Sequence, residues 1–190
     1  MTDLFIKQKI VDYDVLLEMK EDVSGELIQA GVVDQNNKGV IDLESRSTKH
    51  KTVIQPKHYP DVCHALLNLV SYWPDPRIKE ECVVWEFNYL IYNEGDHFKK
   101  HKDRITIENS PQRIYSTSTL ISQSDDFEGG ELIIYDEDDN PINTDLQVGE
   151  TVFFHSMTNH QVNPVTKGTR EVLVAWIFEK GDLLKRNIIL

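Results

Sequence analysis

Apolar positions in this chain change their period near residue 80. After Pro60, Val62, Leu66, Leu69, Val70 and Trp73 recur at helical spacing, with Asp61 in the first turn and Pro74 beyond the end. A carboxylate is favoured at the positive end of a helix dipole and proline cannot continue a helix, so the pattern predicts a helix there. Residues 13–30 are amphipathic but irregular, which predicts a short strand or turn followed by a helix. From Glu81 onward the grammar is that of strands. Trp85, Phe87 and Tyr89 alternate with Glu86 and Asn88, the period of a strand with one buried face. Further β-rich runs cover residues 114–122, 131–136, 151–155 and 172–178. Turn signals separate them at Gly129-Gly130, Asp139-Asn140-Pro141, Val148-Gly149 and Lys167-Gly168. Short strands at this spacing predict a sandwich or barrel with helices on one outer face, an α+β class with a mainly β core.

Composition agrees with that class. A length of 190 residues fits one compact domain, and 39% hydrophobic content is ordinary for a globular chain and excludes disorder. No repeat, low-complexity tract or linker divides it, so residues 1–190 are expected to form a single domain: residues 1–80 as helical support, residues 81–180 as the β core. The formal net charge of -12 repels phosphates, which argues against nucleic acid and favours neutral or basic partners. The acidic run Asp136 to Asp139 reads as a solvated turn and not as a calcium loop. Two cysteines, Cys63 and Cys82, lie in apolar-patterned surroundings and read as buried thiols of a reducing compartment, not as a disulfide or zinc site. Residues 1–10 lack a secretory apolar core and no stretch reaches membrane-spanning length, so no membrane is expected and the cytoplasm is the expected location. Nothing in the sequence sets an oligomeric state.

Chemistry enters with His101-Lys102-Asp103. Positions i and i+2 of a strand share a face, so an imidazole and a carboxylate can converge on one ion. A third ligand must come from elsewhere, and His160 is available. Two histidines and one carboxylate on one face of an octahedron leave the opposite positions open, which suits non-haem iron(II). The tripeptide alone is weak, since a surface hydrogen-bonded pair would look the same. Arg170, ten positions after His160, adds a group that could grip a carboxylate bidentately, with a planarity lysine lacks. Its alternative is a salt bridge to an internal acid such as Glu150 or Glu171.

Three segments then resemble one family in order. Residues 92–103, Tyr-Asn-Glu-Gly-Asp-His-Phe-Lys-Lys-His-Lys-Asp, resemble the metal-binding strand of the 2-oxoglutarate and iron(II)-dependent oxygenases in their prolyl 4-hydroxylase branch. Asp126-Phe127-Glu128-Gly129-Gly130-Glu131-Leu132 resembles that branch's D-[FY]-x-G-G-E-L segment, and residues 160–170 are similar to its H-x-V-x-P-V-x-x-G-x-R. The resemblance covers roughly residues 85–178.

What it implies is a double-stranded β-helix (jelly roll) flanked by N-terminal helices. His101, Asp103 and His160 would be the iron ligands, with Arg170 as partner of the distal carboxylate of 2-oxoglutarate. Tyr92 matches a tyrosine that points at the cosubstrate, though a core aromatic is the alternative. Trp176 matches a tryptophan of the active-site wall and Arg113 an arginine touching the substrate, against a core tryptophan and a solvated surface arginine. Iron(II), 2-oxoglutarate and oxygen are the implied reactants, with ascorbate an optional accessory. The implied reaction couples decarboxylation of 2-oxoglutarate to succinate with hydroxylation of a C–H bond, first of all of a prolyl residue in a peptide or protein, proline-containing and open to basic sequences. A free amino acid or small metabolite is the second substrate class. The nucleic-acid demethylase branch fits poorly, because its second arginine, six residues after the first, is here Trp176. A non-catalytic jelly-roll binding module and a zinc hydrolase are the other classes, neither of which uses Arg170. The polar segment 104–112 is expected to act as a lid.

Overall fold

The structure, a computed structural model, describes residues 4–23, 26–33, 39–54, 56–73, 81–104 and 112–185. In chain order these form β1 (Phe5–Lys9), α1 (Tyr13–Glu21), β2 (Ile28–Gln29), β3 (Val32–Val33), β4 (Gly39–Val40), β5 (Lys49–Ile54), α2 (Pro60–Tyr72) and β6 (Cys82–Asn93). They continue with β7 (Phe98–His101), β8 (Arg113–Leu120), β9 (Phe127–Gly129), β10 (Leu132–Tyr135) and β11 (Pro141–Asn143). The chain closes through β12 (Glu150–His155), β13 (His160–Val162), β14 (Val165–Glu179) and α3 (Lys180–Lys185). A large antiparallel sheet runs β1-β12-β8-β14-β6-β5-β2, and a smaller one runs β11-β10-β13-β7.

Two apolar layers follow from the two-residue period of the central strands. Leu173, Ala175 and Ile177 of β14, with Phe87 and Tyr89 of β6, pack outward against Leu16 and Met19 of α1 and Leu66 and Leu69 of α2. Leu90, Tyr92 and Val172 point the other way, toward Leu132 and Ile134 of β10 and Val162 of β13. Each fully buried leucine here contributes about 1.5–3 kcal/mol. α2 begins at Pro60, whose fixed φ suits the first helical turn, and ends at Tyr72 with Trp73 as its C-cap.

Several expectations change. β6 is covered on both faces, because the second sheet closes over the face that carries Glu86 and Asn88; a half-buried pattern belongs to an exposed sheet, which this is not. In residues 13–30 the helix comes first and the short strand β2 after it. The polar segment Phe5–Lys9 pairs along β12 as an edge strand, a place where one exposed face tolerates polar residues. Residues 1–80 therefore supply β1, β5 and β2 to the large sheet as well as two helices. Lys167-Gly168 is no turn between strands: β14 runs straight through it and begins at Val165. Gly168 has φ +73°, and a Cβ there would lie 2.0 Å from the Asp126 carbonyl oxygen, so only glycine lets β9 approach. Cys63 and Cys82 are free and half-buried, and burial pushes both thiols up to about 11, with Glu179 adding to the effect at Cys82. Among the described residues no helix is long and apolar enough to cross a membrane.

Candidate metal and cosubstrate site

The opening between the two sheets forms a cavity of about 980 Å³. His101 ends β7 and His160 begins β13, and the two are direct partners across the antiparallel pair. Asp103 is not on the strand, contrary to the expected i, i+2 geometry. The chain bends there, and the Arg104 amide anchors the bend by donating to the Ser156 carbonyl at 2.9 Å. The bend swings the carboxylate back between the two rings, with Oδ1 at 3.6 Å from His101 Nε2 and Oδ2 at 3.7 Å from His160 Nε2. One ligand atom from each residue lies within 4.8 Å of the others.

The protons around this group can be placed. His101 Nδ1 lies 2.7 Å from the Lys99 carbonyl oxygen and His160 Nδ1 lies 3.0 Å from that of Thr158. A carbonyl only accepts, so each Nδ1 carries the hydrogen and each Nε2 presents a lone pair inward. Burial, then the neighbouring His101, lowers the His160 pKa to about 4 despite the pull of Asp103, so His160 is neutral at pH 7. Burial alone would raise Asp103; the facing imidazoles of His160 and His101 and the Arg113 charge outweigh it and hold the carboxylate well below its ordinary range. Two imidazole lone pairs and an anionic carboxylate thus face one point, and no hydrogen bond spans distances this long. That donor set fits a divalent cation with open coordination positions.

The wall behind Asp103 is built for it. The Trp176 indole Nε1 donates to Asp103 Oδ2 at 3.0 Å, and the Arg113 guanidinium lies over the Trp176 ring at 3.8 Å. Trp176 is thus neither a plain core residue nor only a wall, and Arg113 lines the cavity instead of lying on the solvated surface.

At the closed end stands Arg170, 2% exposed, the cross-strand partner of Tyr92 and 5.5 Å from that ring's centre. The acids considered as its partners are engaged elsewhere. Glu171 binds Lys20 and the Tyr89 hydroxyl, each at 2.5 Å, and Glu150 faces Lys7 at 3.6 Å. Arg170 Nη1 is buried without a hydrogen-bond partner among the described residues, a costly state that a bound carboxylate would relieve. Gly130 makes the room: a Cβ there would lie 2.8 Å from Arg170 Cδ. Gly130 therefore serves the arginine, and a planar carboxylate would give its unused nitrogen an acceptor.

Sequence reasoning missed Arg46, Glu86 and Trp85, which also line the cavity. Glu86 gave no sequence signal, because on an alternating strand an acid reads as solvent-facing. Arg46 lies outside every motif, in a turn with no periodic signal. The expected lid falls almost wholly on residues 105–111, outside the described residues.

Comparison with known proteins agrees with this geometry. A family model described as the 2OG-Fe(II) oxygenase superfamily matches residues 87–178. A PKHD-type hydroxylase of Pseudomonas putida (strain W619) is 29% identical over 177 residues, covering 88% of this chain and 74% of that protein. One from Picosynechococcus is 34% identical over 99 residues, 52% of this chain, and this chain spans only 44% of it. Among solved structures, a Pseudomonas putida prolyl-4-hydroxylase has a TM-score of 0.67 at 20% identity, covering 94% of each chain. A Trichoplax adhaerens prolyl hydroxylase, solved with a hypoxia inducible factor oxygen degradation domain peptide fragment, has a TM-score of 0.68 at 15% identity, covering 97% of this chain and 87% of that one. These likenesses carry the jelly-roll fold. The family match and the curated relatives make the chain similar to the enzymes of the 2-oxoglutarate and iron(II)-dependent oxygenase superfamily, and among them to the prolyl 4-hydroxylase branch.

Proposed function

We propose that this chain hydroxylates a prolyl residue in a peptide or protein, with His101, Asp103 and His160 holding iron(II) and Arg170 holding 2-oxoglutarate. The observation that carries this reading is the meeting, in one cavity, of a two-histidine, one-carboxylate set and a buried guanidinium with an unused donor. When bound, iron(II) and 2-oxoglutarate would let O2 act as the oxidant, one oxygen atom ending in succinate as the cosubstrate loses carbon dioxide and the other in the substrate's new C–OH.

The chain's own residues do the rest. Arg170 grips the distal carboxylate, and Tyr92 packs beside it to fix the tail. The carbonyls of Lys99 and Thr158 lock both imidazoles in the ligating tautomer. Leu132, Phe154, Val172 and Val174 keep the inner cavity apolar, which excludes water and stray reductants. Arg113 and Trp176 form the wall against which the substrate lies. The prolyl assignment draws on the branch to which the chain is similar, and on a structural neighbour solved in complex with a peptide fragment. A cytoplasmic location and ascorbate as accessory reductant belong to the same proposal, as does one domain spanning the chain. The test is incubation with iron(II), ascorbate, 2-oxoglutarate and proline-containing peptides. Succinate should appear with a +16 Da shift on proline; absence of both 2-oxoglutarate binding and succinate would overturn the reading.

A further inference from the structure

We infer that the substrate carries a carboxylate close to the group that is oxidised, and that Arg46 at the cavity mouth receives it; this deepens, and rests on, the hydroxylase reading above.

The whole chain is acidic, at -12, yet the mouth of its cavity is not. Arg46, Lys99, Lys100, Lys102 and Arg113 line it. Among the described residues only Asp42 and Glu86 oppose them once Asp103 is assigned to the metal. Some of this charge is already spoken for. Lys100 pairs with Asp139, and Arg113 feels both Glu86 and Asp103. Asp42 is occupied by the hydroxyl and amide of Ser45 and the amide of Glu44, which stabilise its turn. Asp42 keeps its charge and acts on Lys99, so Arg46 and Lys102 are left as the positive surplus. At physiological salt, interactions fade over about 8 Å, so a group inside the mouth feels these residues more than the distant acidic surface.

Arg46 stands out because its guanidinium is fixed and incompletely used. Nη1 donates to the Gly31 carbonyl at 3.2 Å, and the group lies 4.5 Å from the Phe98 ring centre. Nε is buried and has no hydrogen-bond partner among the described residues. Its charge reaches its neighbours, depressing the pKa of both Arg113 and His50, although burial is the larger cause at each. A buried donor without an acceptor costs stability unless a ligand supplies the acceptor. Position supports a substrate contact: Phe98 is stacked on His101 at 3.4 Å, so a single phenyl ring separates Arg46 from a metal ligand. An extended peptide rises about 3.3 Å per residue, which places the acid roughly two residues from the oxidised position. The carboxylate could be an acidic side chain or the free carboxylate of an amino acid. The peptide preference is thus the reverse of the one the net charge alone indicated.

The test is binding to the full chain loaded with iron(II) and 2-oxoglutarate without oxygen. Three fluorescent peptides share one proline and carry Glu, Gln or Lys two residues away on either side. The Glu peptide should bind ~10-fold or more tighter than the Gln peptide, with Lys weakest and the gap narrowing as salt rises. Arg46→Gln should close the gap while leaving 2-oxoglutarate affinity unchanged, and Arg46→Lys should keep part of it. In a second arm, free amino acids compete for the site; if they alone bind, and Arg46→Gln weakens them, the source is a free carboxylate. Equal or Lys-first ranking, a gap that survives Arg46→Gln, or no binding in either arm overturns the inference. Acid-selective binding by a protein that takes no 2-oxoglutarate would leave it standing and remove the hydroxylase reading instead.

Discussion

The two faces of β14 carry different kinds of chemistry on one stretch of backbone. Outward, Leu173, Ala175 and Ile177 meet α1 and α2 in a layer of apolar side chains. The polar groups at its edge are matched: Glu171 binds both Lys20 and Tyr89, and Tyr13 donates to the Ile121 carbonyl at 2.6 Å. Inward, the same strand presents Arg170, Val174 and Trp176 to a cavity, where a guanidinium nitrogen is buried without a partner and a carboxylate faces lone pairs. The outer face holds the molecule together, and the inner face is left incomplete. Substitutions on the two faces should therefore fail in different ways.

The largest effect is expected at the centre of the inner face. Asp103→Ala removes the anionic ligand and should abolish metal uptake and succinate formation, while circular dichroism shows the fold intact. Retained activity would mean that another carboxylate serves. Next comes Arg170→Ala. Truncating one partner of a buried charge pair typically costs 2–5 kcal/mol, so 2-oxoglutarate should bind ~30-fold or more weakly by calorimetry. Without cosubstrate the sign reverses: the variant loses an unpaired buried cation, and its Tm should stay level or rise. A fall in Tm with unchanged 2-oxoglutarate affinity would place Arg170 in a structural ion pair. Leu66→Ala on the outer layer is the counterpart. It should lose about 2–5 kcal/mol in denaturant unfolding, with 2-oxoglutarate affinity of the folded fraction unchanged.

That division also explains what could be read from the sequence. The outer layer announces itself, because Leu66 and Leu69 at helical spacing and Phe87 and Tyr89 at strand spacing are amphipathic patterns. The proposed inner site was legible through ordered motifs, since the roles proposed for His101, Asp103, His160 and Arg170 are ones that few residue types can perform. Periodicity could not reveal that β6 has two covered faces, because Glu86 and Asn88 read as solvent-facing until a second sheet closes over them. It could not reveal the bend that carries Asp103, or Arg46, whose place depends on Phe98 across an isolated bridge 52 residues away. The tertiary arrangement alone supplies those neighbours.

Proton linkage separates the faces again, by a smaller amount. The ordinary histidine pKa is 6.5, and His160 in the folded chain sits at about 4. The unfolded chain thus takes up a proton that the metal-free fold refuses. Stability should begin to fall below pH 6.5 and keep falling to about pH 4, by roughly 3 kcal/mol in all. Asp103, held low, adds to the loss only at the acid end, because its folded form resists protonation while the unfolded carboxyl accepts it. Denaturant titrations of the metal-free protein at pH 7, 6 and 5 check this, and His160→Asn should flatten the curve across that range.

The smallest effect concerns Trp176, where the two faces come closest to sharing a role. Its ring supports Arg113 at 3.8 Å and its N–H holds Asp103 Oδ2 at 3.0 Å. Phenylalanine keeps a ring for the guanidinium but cannot donate, so Trp176→Phe isolates the hydrogen bond. Donors that orient a ligating carboxylate are typically worth 10–100-fold in metal affinity. The freed oxygen could here rotate toward the metal and recover part of that, so we expect ~10-fold weaker manganese(II) binding by electron paramagnetic resonance, with Tm within a few degrees. If affinity is unchanged while peptide binding falls, Trp176 serves only as a wall for the substrate. If Tm collapses with affinity intact, it belongs with the outer layer after all, and the division between the faces fails on the strand that defines it.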